Sequence, residues 1–450
     1  MKKILILTYD FPPFTSVGSL RPYSWYKYLK EFNVYPIVVT RQWDCQFGNK
    51  LDYIAPGSSS KIIIEKNEYG TIIKTPYTPN ISNKILLKHG EKKYKFIRNF
   101  FSTYYEIIQW FSFTGSKSQI YNTAKSYLKS NKIDIIIATG DPFILFKYAA
   151  KLSAKYKIPW IADYRDPWSF DITLEKKTLF KIWSRFFEKK IVRTCSSITT
   201  VADFVRTQLP TNILRKMIHI IPNGYDQEII ESTKNTQPQN CELNIAFAGT
   251  IYKERDHPFE SFLSTVSKFL YETNTQLKIN FYGINISDEL KKIILAKYFN
   301  LINVVNIFPR IPNNKLLLEL SKNDVMLLFN DYFFISTKTF EYIGLKRKIL
   351  LCYTNATAQK KLINKYFKKK IFNINMQSQE DLITNTNSGF CIKNEEHLWE
   401  VLLNLKVEFE EKRKIECHSI NTEQYSRKIQ VEKLAGIINK ITPPYTVINK

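Results

Sequence analysis

The sequence predicts an α/β protein that contains two doubly wound parallel sheets, and two observations support this fold class. Short apolar runs rich in β-branched residues alternate with longer stretches of helical periodicity over most of the 450 residues. This alternation is typical of parallel strands covered by helices on both faces. A polar stretch without periodicity interrupts it at residues 226–242, after which it resumes. We therefore expect two domains, at residues 1–225 and 243–421, joined by a linker at residues 226–242.

In the first domain, the predicted strands are short apolar runs, and the predicted helices repeat apolar residues at spacings of three or four. Strands are predicted at residues 3–8, 34–40, 133–138, 159–163, 197–201 and 219–221. Helices are predicted at residues 19–32, in a stretch that ends at residue 156, and around residues 174–192. The first apolar run is too short for the core of a signal peptide, so we expect a cytoplasmic protein.

The second domain shows the same alternation after the linker. Its strands are predicted at residues 243–249, 276–282, 303–307, 324–329 and 348–352, and its helices at residues 258–271, 287–298, 313–321 and 337–345. A last amphipathic helix is predicted at residues 422–441. Ligands of open α/β sheets bind beyond the carboxyl ends of the strands, so two such domains predict a cleft with one substrate on each side.

The charge composition favours an anionic partner. The formal net charge is +25, which suits nucleic acid, an anionic membrane or a phosphorylated small molecule. The sequence has no signature of the common nucleic-acid-binding folds, which argues against a nucleic-acid partner. The six cysteines form no Cys-x-x-Cys pair and the five histidines do not cluster, so we expect a reduced compartment and no bound metal.

Two segments of the first domain carry candidate site residues. Gly18 follows the first strand and opens a helix, where backbone amides could approach a phosphate; a simple helix cap is the alternative. Asp163, Arg165 and Asp166 crowd the carboxyl end of another predicted strand, and Trp168 adds an aromatic face. These charges suit an active site at that edge of the sheet, or a structural cluster of ion pairs.

Two segments of the second domain suit a diphosphate. Gly249 follows a strand and precedes Arg255, so the backbone could approach a phosphate and the guanidinium could donate to it. Lys338 lies in the first turn of a helix, where a cation opposes the helix dipole unless an anion binds there. Glu341, one turn later, could accept hydrogen bonds from a ribose diol. A solvated loop and a surface Lys–Glu pair are the alternatives.

Taken together and in this order, these segments resemble the retaining nucleotide-sugar glycosyltransferases of family 4. The matching segments are residues 12–21, 160–168, 222–224, 248–250 with Arg255, and 338–342. The resemblance implies a GT-B fold, in which two Rossmann-like domains face each other across a cleft. It also implies that the first domain binds the acceptor, the second binds the nucleotide sugar, and residues 422–450 form a helix and tail that return toward the first domain.

The resemblance also implies roles for individual residues. Gly18, Gly249, Arg255 and Lys338 would line the donor diphosphate, and Glu341 would hold the nucleotide ribose. The family often has a glutamate eight positions before the ribose glutamate, where this sequence has Phe333.

On the acceptor side, the resemblance places a wall of charged residues and a catalytic loop. The residues expected there are Asp163, Arg165, Asp166 and Asp141, the last at the end of a strand.

The implied activity is transfer of a sugar, with retention, from a nucleoside diphosphate sugar to a glycan or a lipid-linked acceptor. We expect a role in surface polysaccharide biosynthesis and no metal cofactor. The alternatives are a GT-B epimerase or a non-catalytic nucleotide-sugar binder, and, in another class, a nucleic-acid-binding protein.

A basic segment followed by aromatic residues indicates a membrane partner. Residues 84–98 contain six Lys or Arg residues against a single acidic residue, and aromatic residues dominate the stretch from 100 to 113. Basic residues beside aromatic ones suit the headgroup layer of an anionic leaflet. Packing into a core would explain the aromatic residues alone. We expect a peripheral protein on the inner face of the cell membrane.

Overall fold

The computed structural model describes residues 1–14, 16–44, 51–169, 178–210, 213, 216–233, 236, 238, 241–252, 257–354, 357 and 375–442. The chain divides into two compact units, Met1–Pro222 with Lys428–Lys450, and Asn223–Arg427. Each unit contains one predominantly or wholly parallel sheet with helices packed against it. The prediction of two Rossmann-like α/β domains is confirmed.

The sheet of the first unit has eight strands. They are β1 (Lys2–Leu7), β2 (Val34–Arg41), β3 (Ile63–Lys66), β4 (Thr71–Thr75), β5 (Ile135–Gly140), β6 (Trp160–Tyr164), β7 (Ser197–Thr200) and β8 (Ile218–Ile220). Their order is β3-β4-β2-β1-β5-β6-β7-β8, with β3 antiparallel to β4 and the other pairs parallel. The central strands β1, β5 and β6 lie side by side, so the segments that follow them emerge together at one edge.

Seven helices accompany this sheet within the described part of the first 222 residues. They are α1 (Val17–Tyr28), α2 (Ile81–His89), α3 (Lys95–Ile108), α4 (Ser118–Ser130), α5 (Ile144–Tyr156), α6 (Thr178–Val192) and α7 (Asp203–Gln208). Helices α2, α3 and α4, the edge strand β3 and its neighbour β4 were not predicted from the sequence. Three of the four residues of β3 are exposed, so this strand lacks the apolar run that marks the central strands.

The second unit has a six-stranded parallel sheet in the order β11-β10-β9-β12-β13-β14. Its strands are β9 (Leu243–Ala248), β10 (Leu277–Tyr282), β11 (Val305–Phe308), β12 (Val325–Phe329), β13 (Lys348–Cys352) and β14 (Gly389–Ile392). Its described helices are α8 (Gln227–Thr233), α9 (Phe259–Thr273), α10 (Ser287–Lys297), α11 (Asn313–Ser321), α12 (Thr337–Leu345), α13 (Ser378–Asn385) and α14 (Glu395–Lys412).

Helix α8 lies where the sequence analysis placed a linker. The Asp226 side chain accepts a hydrogen bond from the Glu228 amide at 3.1 Å, which caps the start of this helix. Ile230 is buried in the core of the second unit. Ile229 beside it packs against the same core, and two adjacent isoleucines in a polar stretch produce too little periodicity to be recognised from the sequence.

The last helix of the chain, α15 (Arg427–Ile441), packs on the first unit. Its apolar side chains share a core with strands β1 and β5; they are Val431, Leu434, Ala435, Ile437 and Ile438. The Lys428 ammonium, on the same helix, lies 2.6 Å from the Glu31 carboxylate of the first unit. Among the described residues, no helix is long and apolar enough to cross a membrane.

A buried carboxyl group in the first unit should make its stability depend on pH. Glu188 on α6 is 1% exposed and accepts a hydrogen bond from the Tyr164 hydroxyl at 3.0 Å. Burial raises the pKa of Glu188 to about 7 from its ordinary value of 4.5. Between these two pH values the folded chain retains a proton that the unfolded chain releases, so this contribution to stability is lost as the pH rises.

We therefore expect Glu188→Gln to remove part of the pH dependence of unfolding. Relative to the variant, the wild type should lose about 3 kcal/mol of unfolding free energy between pH 4.5 and pH 7. Urea denaturation across this range measures the difference. Glu65→Gln, at an exposed site on β3, is the control and should keep the wild-type profile. Parallel profiles for the wild type and Glu188→Gln would contradict the assignment.

Candidate functional site

Charged side chains from three adjacent strands meet at the carboxyl edge of the first sheet. Asp10 follows β1, Asp141 follows β5 and Arg165 follows β6. The Arg165 guanidinium donates to the Gly140 carbonyl at 2.8 Å and also to the Asp141 carbonyl, and it lies 3.9 Å from the Asp10 carboxylate. Arg165 therefore ties the ends of the three strands together. Asp141 itself has an exposed side chain.

Gly18 lies against this cluster at the start of α1. A Cβ atom at this position would lie 1.9 Å from Arg165 Nη1 and 2.6 Å from Asp10 Oδ2, so a larger residue would have to displace these two side chains. The helix begins with a cap, in which Ser16 Oγ accepts from the Ser19 amide at 3.1 Å. The space that the sequence analysis reserved for a phosphate beside Gly18 is occupied by the Arg165 side chain.

Asp10 belongs to this cluster and was not predicted from the sequence. Its Oδ2 accepts from the Ser16 hydroxyl at 3.2 Å, while its buried Oδ1 has no hydrogen-bond partner among the described residues. Burial raises the pKa of Asp10, and the charge of Arg165 opposes the increase. A carboxyl group with a raised pKa and a vacant acceptor can take a proton from a substrate hydroxyl. Its position just past the end of β1 was the signal available in the sequence.

Asp163 has a different environment from the one expected of a catalytic residue. It is fully buried, and both of its oxygens accept hydrogen bonds. The donors are the Arg21 guanidinium at 2.8 and 3.1 Å, the Thr139 hydroxyl at 3.0 Å and the Thr199 hydroxyl at 2.7 Å. Arg21 also donates to the Ile221 carbonyl at 2.8 Å. This geometry corrects the expected role: Asp163 positions Arg21 and the neighbouring strands and presents no free oxygen to a substrate.

The two remaining candidate residues of this segment, Asp166 and Trp168, differ in their exposure to solvent. Asp166 is exposed at the edge of the sheet, beyond β6. The Trp168 ring is only 3% exposed and stacks on Phe143 and Trp110, with ring centroids 5.2 Å apart in both cases. The expectation that Trp168 offers an aromatic face to a ligand is wrong, because neighbouring aromatic rings already cover it.

In the second unit, Gly249 and Lys338 come together at the carboxyl end of β9. Gly249 has a φ of +96°, which favours glycine, and a Cβ atom there would lie 3.9 Å from Lys338 Nζ. The Lys338 ammonium also lies over the Phe247 ring, 4.4 Å from its centroid. The Ala248 amide donates to the Tyr342 hydroxyl at 2.9 Å, which fixes α12 against the end of the strand. The Lys338 ammonium, the N-terminus of α12 and the Gly249 backbone, which no side chain covers, therefore lie together at the end of β9.

Glu341 lies one turn further along α12 and is 6% exposed. It accepts from the Asn313 amide at 3.1 Å, and the Arg427 guanidinium lies 3.7 Å away. Burial raises the pKa of Glu341, and Arg427 opposes the increase. The alternative of an exposed Lys338–Glu341 pair is therefore wrong, because the Glu341 carboxyl group is buried between Asn313 of α11 and Arg427 of α15.

A histidine–carboxylate pair beside these residues was missed from the sequence. His257 Nε2 lies 3.0 Å from Asp331 Oδ1, and His257 Nδ1 accepts from the Tyr252 amide at 3.2 Å, so Nε2 carries the proton. Asp331 follows the buried strand β12, which was the available signal. Phe333, at the position where the family often has a glutamate, is 6% exposed and supplies no carboxylate.

Arg255, expected to bind the diphosphate, lies outside the described residues. In the parts of the chain that the structure describes, no group of three or more His, Cys, Asp or Glu residues is arranged to hold a metal ion.

Comparisons with solved structures identify the architecture. A glycosyltransferase from Rickettsia africae has a TM-score of 0.55 at 14% identity, with 98% of this chain and 99% of that chain covered. A structure from E. coli described as trehalose-6-phosphate bound with UDP-2-fluoro glucose has a TM-score of 0.55 at 9% identity, with 98% and 96% covered. The fold is GT-B.

A further solved structure shows the same fold, and part of the chain matches a family model. Sucrose-phosphate synthase from Thermosynechococcus elongatus has a TM-score of 0.51 at 10% identity, with 98% of this chain and 95% of that chain covered. Residues 77–229 match the family model Glycosyltransferase Family 4. A search of curated protein sequences finds no match.

Proposed function

We propose that this GT-B protein is a retaining glycosyltransferase, which moves a sugar from a nucleoside diphosphate sugar to a glycan or lipid-linked acceptor in surface polysaccharide biosynthesis. The observation that carries the proposal is the convergence of Gly249, Lys338 and the N-terminus of α12 in the second unit. The solved structure from E. coli is bound with a nucleotide sugar, UDP-2-fluoro glucose. The Glycosyltransferase Family 4 match over residues 77–229 supports the same reaction class.

The chemistry follows from the charge that develops on the leaving group. As the bond between the sugar and the diphosphate breaks, the departing nucleoside diphosphate gains negative charge. The Lys338 ammonium and the positive end of the α12 dipole are positioned to stabilise this charge without a metal ion. On the acceptor side, Asp10 or Asp141 could accept the proton of the attacking hydroxyl at the sheet edge held by Arg165.

The test is a panel of UDP- and GDP-sugars, with binding measured by calorimetry and turnover measured with and without a lipid-linked acceptor. We expect one donor to bind and its sugar to be transferred. The anomeric configuration of the product, read by NMR, decides retention against inversion. Binding of neither UDP nor GDP would contradict the proposal. Turnover that changes the donor sugar without any acceptor would favour the epimerase alternative.

Glu341→Gln tests whether Glu341 holds the nucleotide ribose. The amide can still accept from Asn313, so we expect the fold to survive, while the weaker acceptor raises the donor KM by about tenfold. Glu319→Gln on the neighbouring helix α11 is the control, because Glu319 is partly exposed and pairs with Lys322. Steady-state kinetics with varied donor concentration measure the donor KM of the wild type and both variants. An unchanged donor KM in Glu341→Gln would leave Glu341 with only a structural role.

The membrane part of the proposal rests on the α2–α3 hairpin. The structure describes no fully buried residue in α3, and Phe96, Phe100 and Phe111 are 88%, 65% and 65% exposed. Most aromatic residues of this segment are therefore outside the core, whereas the alternative interpretation required them to pack into it. Exposed cations lie on α2 and in the chain up to the first residue of α3; they are Lys84, Lys88, Lys92, Lys93 and Lys95. An apolar face bordered by cations suits the surface of an anionic bilayer, with apolar rings among the headgroups.

We expect the protein to sediment with anionic liposomes of phosphatidylglycerol and phosphatidylcholine at low salt. Replacing Lys88, Lys92, Lys93 and Lys95 with Gln should weaken binding by about 4 kcal/mol, close to a thousandfold, because each cation near the surface contributes roughly 1 kcal/mol.

The matched control replaces four exposed lysines of the second unit, and these are Lys291, Lys292, Lys315 and Lys393. This control should bind as well as the wild type. If the wild type ignores anionic liposomes at low salt, the membrane proposal fails and the sugar-transfer proposal remains.

A further inference from the structure

The first unit contains a polar pocket that no part of the proposed donor chemistry uses. It has a volume of about 240 Å³ and lies among the loops after β1 and β4 and the helices α2 and α3. Four tyrosines line it, together with amide and hydroxyl side chains, a single carboxylate, Glu106, and a single lysine, Lys117. Sites for drug-sized ligands occupy about 300–1,000 Å³, so this pocket suits one small ring.

The side chains of the pocket are held in place by their own contacts. The Asn83 amide donates to the Tyr77 hydroxyl at 3.2 Å. Gln109 donates to Glu106 at 2.7 Å, and the Lys117 ammonium lies 5.7 Å from the centre of the Tyr9 ring. Binding groups that are already ordered lose little entropy when a ligand arrives.

The lining favours a hydroxylated ring over an apolar or a strongly charged ligand. The apolar face of a sugar can pack on a tyrosine ring, while its hydroxyls bond to amide and carboxylate groups. Glu106 and Lys117 balance each other in charge, so the pocket as a whole has no strong preference for an ion. Desolvation raises the pKa of Glu106, and the nearby Lys117 lowers it, as expected when the two side chains share one site.

The pocket adjoins the charged cluster at the sheet edge. Tyr9, in its wall, directly precedes Asp10. Tyr53, also in its wall, has a pKa raised by burial and then by the negative charge of Asp10, with a smaller contribution from Asp141. A ring bound in the pocket would therefore lie beside the carboxylates that could accept a proton from one of its hydroxyls.

We infer that this pocket binds one neutral sugar ring, the terminal ring of the acceptor, and that Glu106 and Lys117 hold its hydroxyl groups. That the bound ring belongs to the acceptor rests on the proposed glycosyl transfer. That the ligand is a neutral sugar ring rests on the lining of the pocket alone. The inference thus names the substrate class that binds on the acceptor side. It assigns recognition of the sugar ring to the pocket and contact with the membrane to the outer face of α3.

The probes are the methyl glycosides of glucose, galactose, mannose and N-acetylglucosamine, titrated into the full-length protein by saturation-transfer NMR. We expect at least one glycoside to bind. Its Kd should rise about tenfold in Glu106→Gln and in Lys117→Met, because each variant removes a charged hydrogen-bonding group. Thr103→Ala is the matched control, since Thr103 is exposed on α3 and does not line the pocket.

Calorimetry with UDP and GDP on the same samples separates this inference from the proposed function. Nucleotide binding should be unchanged in both pocket variants, since the nucleotide contacts proposed above lie in the second unit. Absence of binding for all four glycosides, or equal affinities in wild type and both variants, would overturn the pocket inference even if nucleotide binds. Glycoside binding without nucleotide binding would support the pocket and overturn the sugar-transfer proposal.

Discussion

Asp163→Ala should destabilise the first unit by about 3–5 kcal/mol, the usual cost of removing one partner of a buried ion pair. Asp163 is fully buried and accepts from Arg21, Thr139 and Thr199. The variant leaves the Arg21 guanidinium buried, with its hydrogen bond to the Ile221 carbonyl but without a counter-charge. Urea denaturation followed by far-UV circular dichroism measures the loss.

Two further variants separate a structural role of Asp163 from a catalytic one. Asp166→Ala removes an exposed carboxylate three residues later and should change stability by no more than about 0.5 kcal/mol. The double variant Arg21→Met with Asp163→Ala should be less destabilised than the sum of the two single variants, because it removes both charges. A stable Asp163→Ala protein that has lost turnover would contradict the structural assignment and return Asp163 to catalysis.

The repeating part of the fold could be predicted because its signal is local. The buried strands β1, β5, β9 and β12 are apolar runs, since a parallel strand is covered on both faces. Strand β3 and the α2–α3 hairpin carry no comparable signal. Their residues are largely exposed, so their structure depends on contacts between elements, such as the pairing of β3 with β4.

Only those residues of the candidate site that follow the end of a predicted strand or begin the next helix could be predicted from the sequence. Gly18, Asp141 and Arg165 were expected from their positions, and the structure brings them together with Asp10. The sequence could not distinguish which carboxylate of the segment faces a substrate, because it does not show where the buried strand ends: Asp163 belongs to β6, while Asp166 lies two residues past its last residue. Asp163 is buried with the rest of β6, where Arg21 from α1 neutralises it, and that partner is 142 residues away.

His257 is a second residue whose partner could not be predicted from the sequence. Its hydrogen bond to Asp331 joins residues 74 positions apart, and neither residue belongs to a recognisable motif. The Glu341 environment is similar, since Arg427 approaches it from the start of the last helix of the chain. Pairwise contacts of this length are set by sheet order and helix packing, so composition and spacing cannot reveal them.

Lys338→Ala should weaken the binding of UDP or GDP by about ten- to a hundredfold, because it removes a charge-assisted hydrogen bond worth roughly 1.5–3 kcal/mol. The ammonium lies beside Gly249 in the first turn of α12, where the helix dipole favours an anion and disfavours a cation. A bound diphosphate would reverse this local repulsion. The contact with the Phe247 ring is lost too, but it contributes only about 0.5–1 kcal/mol to stability.

Calorimetry on wild type, Lys338→Ala and Lys338→Arg measures the effect, and circular dichroism verifies that each variant is folded. Lys338→Arg keeps the charge and should recover part of the affinity. Lys291→Ala, which removes an exposed lysine from α10, should bind nucleotide as the wild type does. If a folded Lys338→Ala protein keeps full affinity for both nucleotides, Lys338 does not contact the diphosphate. The convergence of Lys338 with Gly249 would then be a feature of packing alone, with the ammonium held by the Phe247 ring.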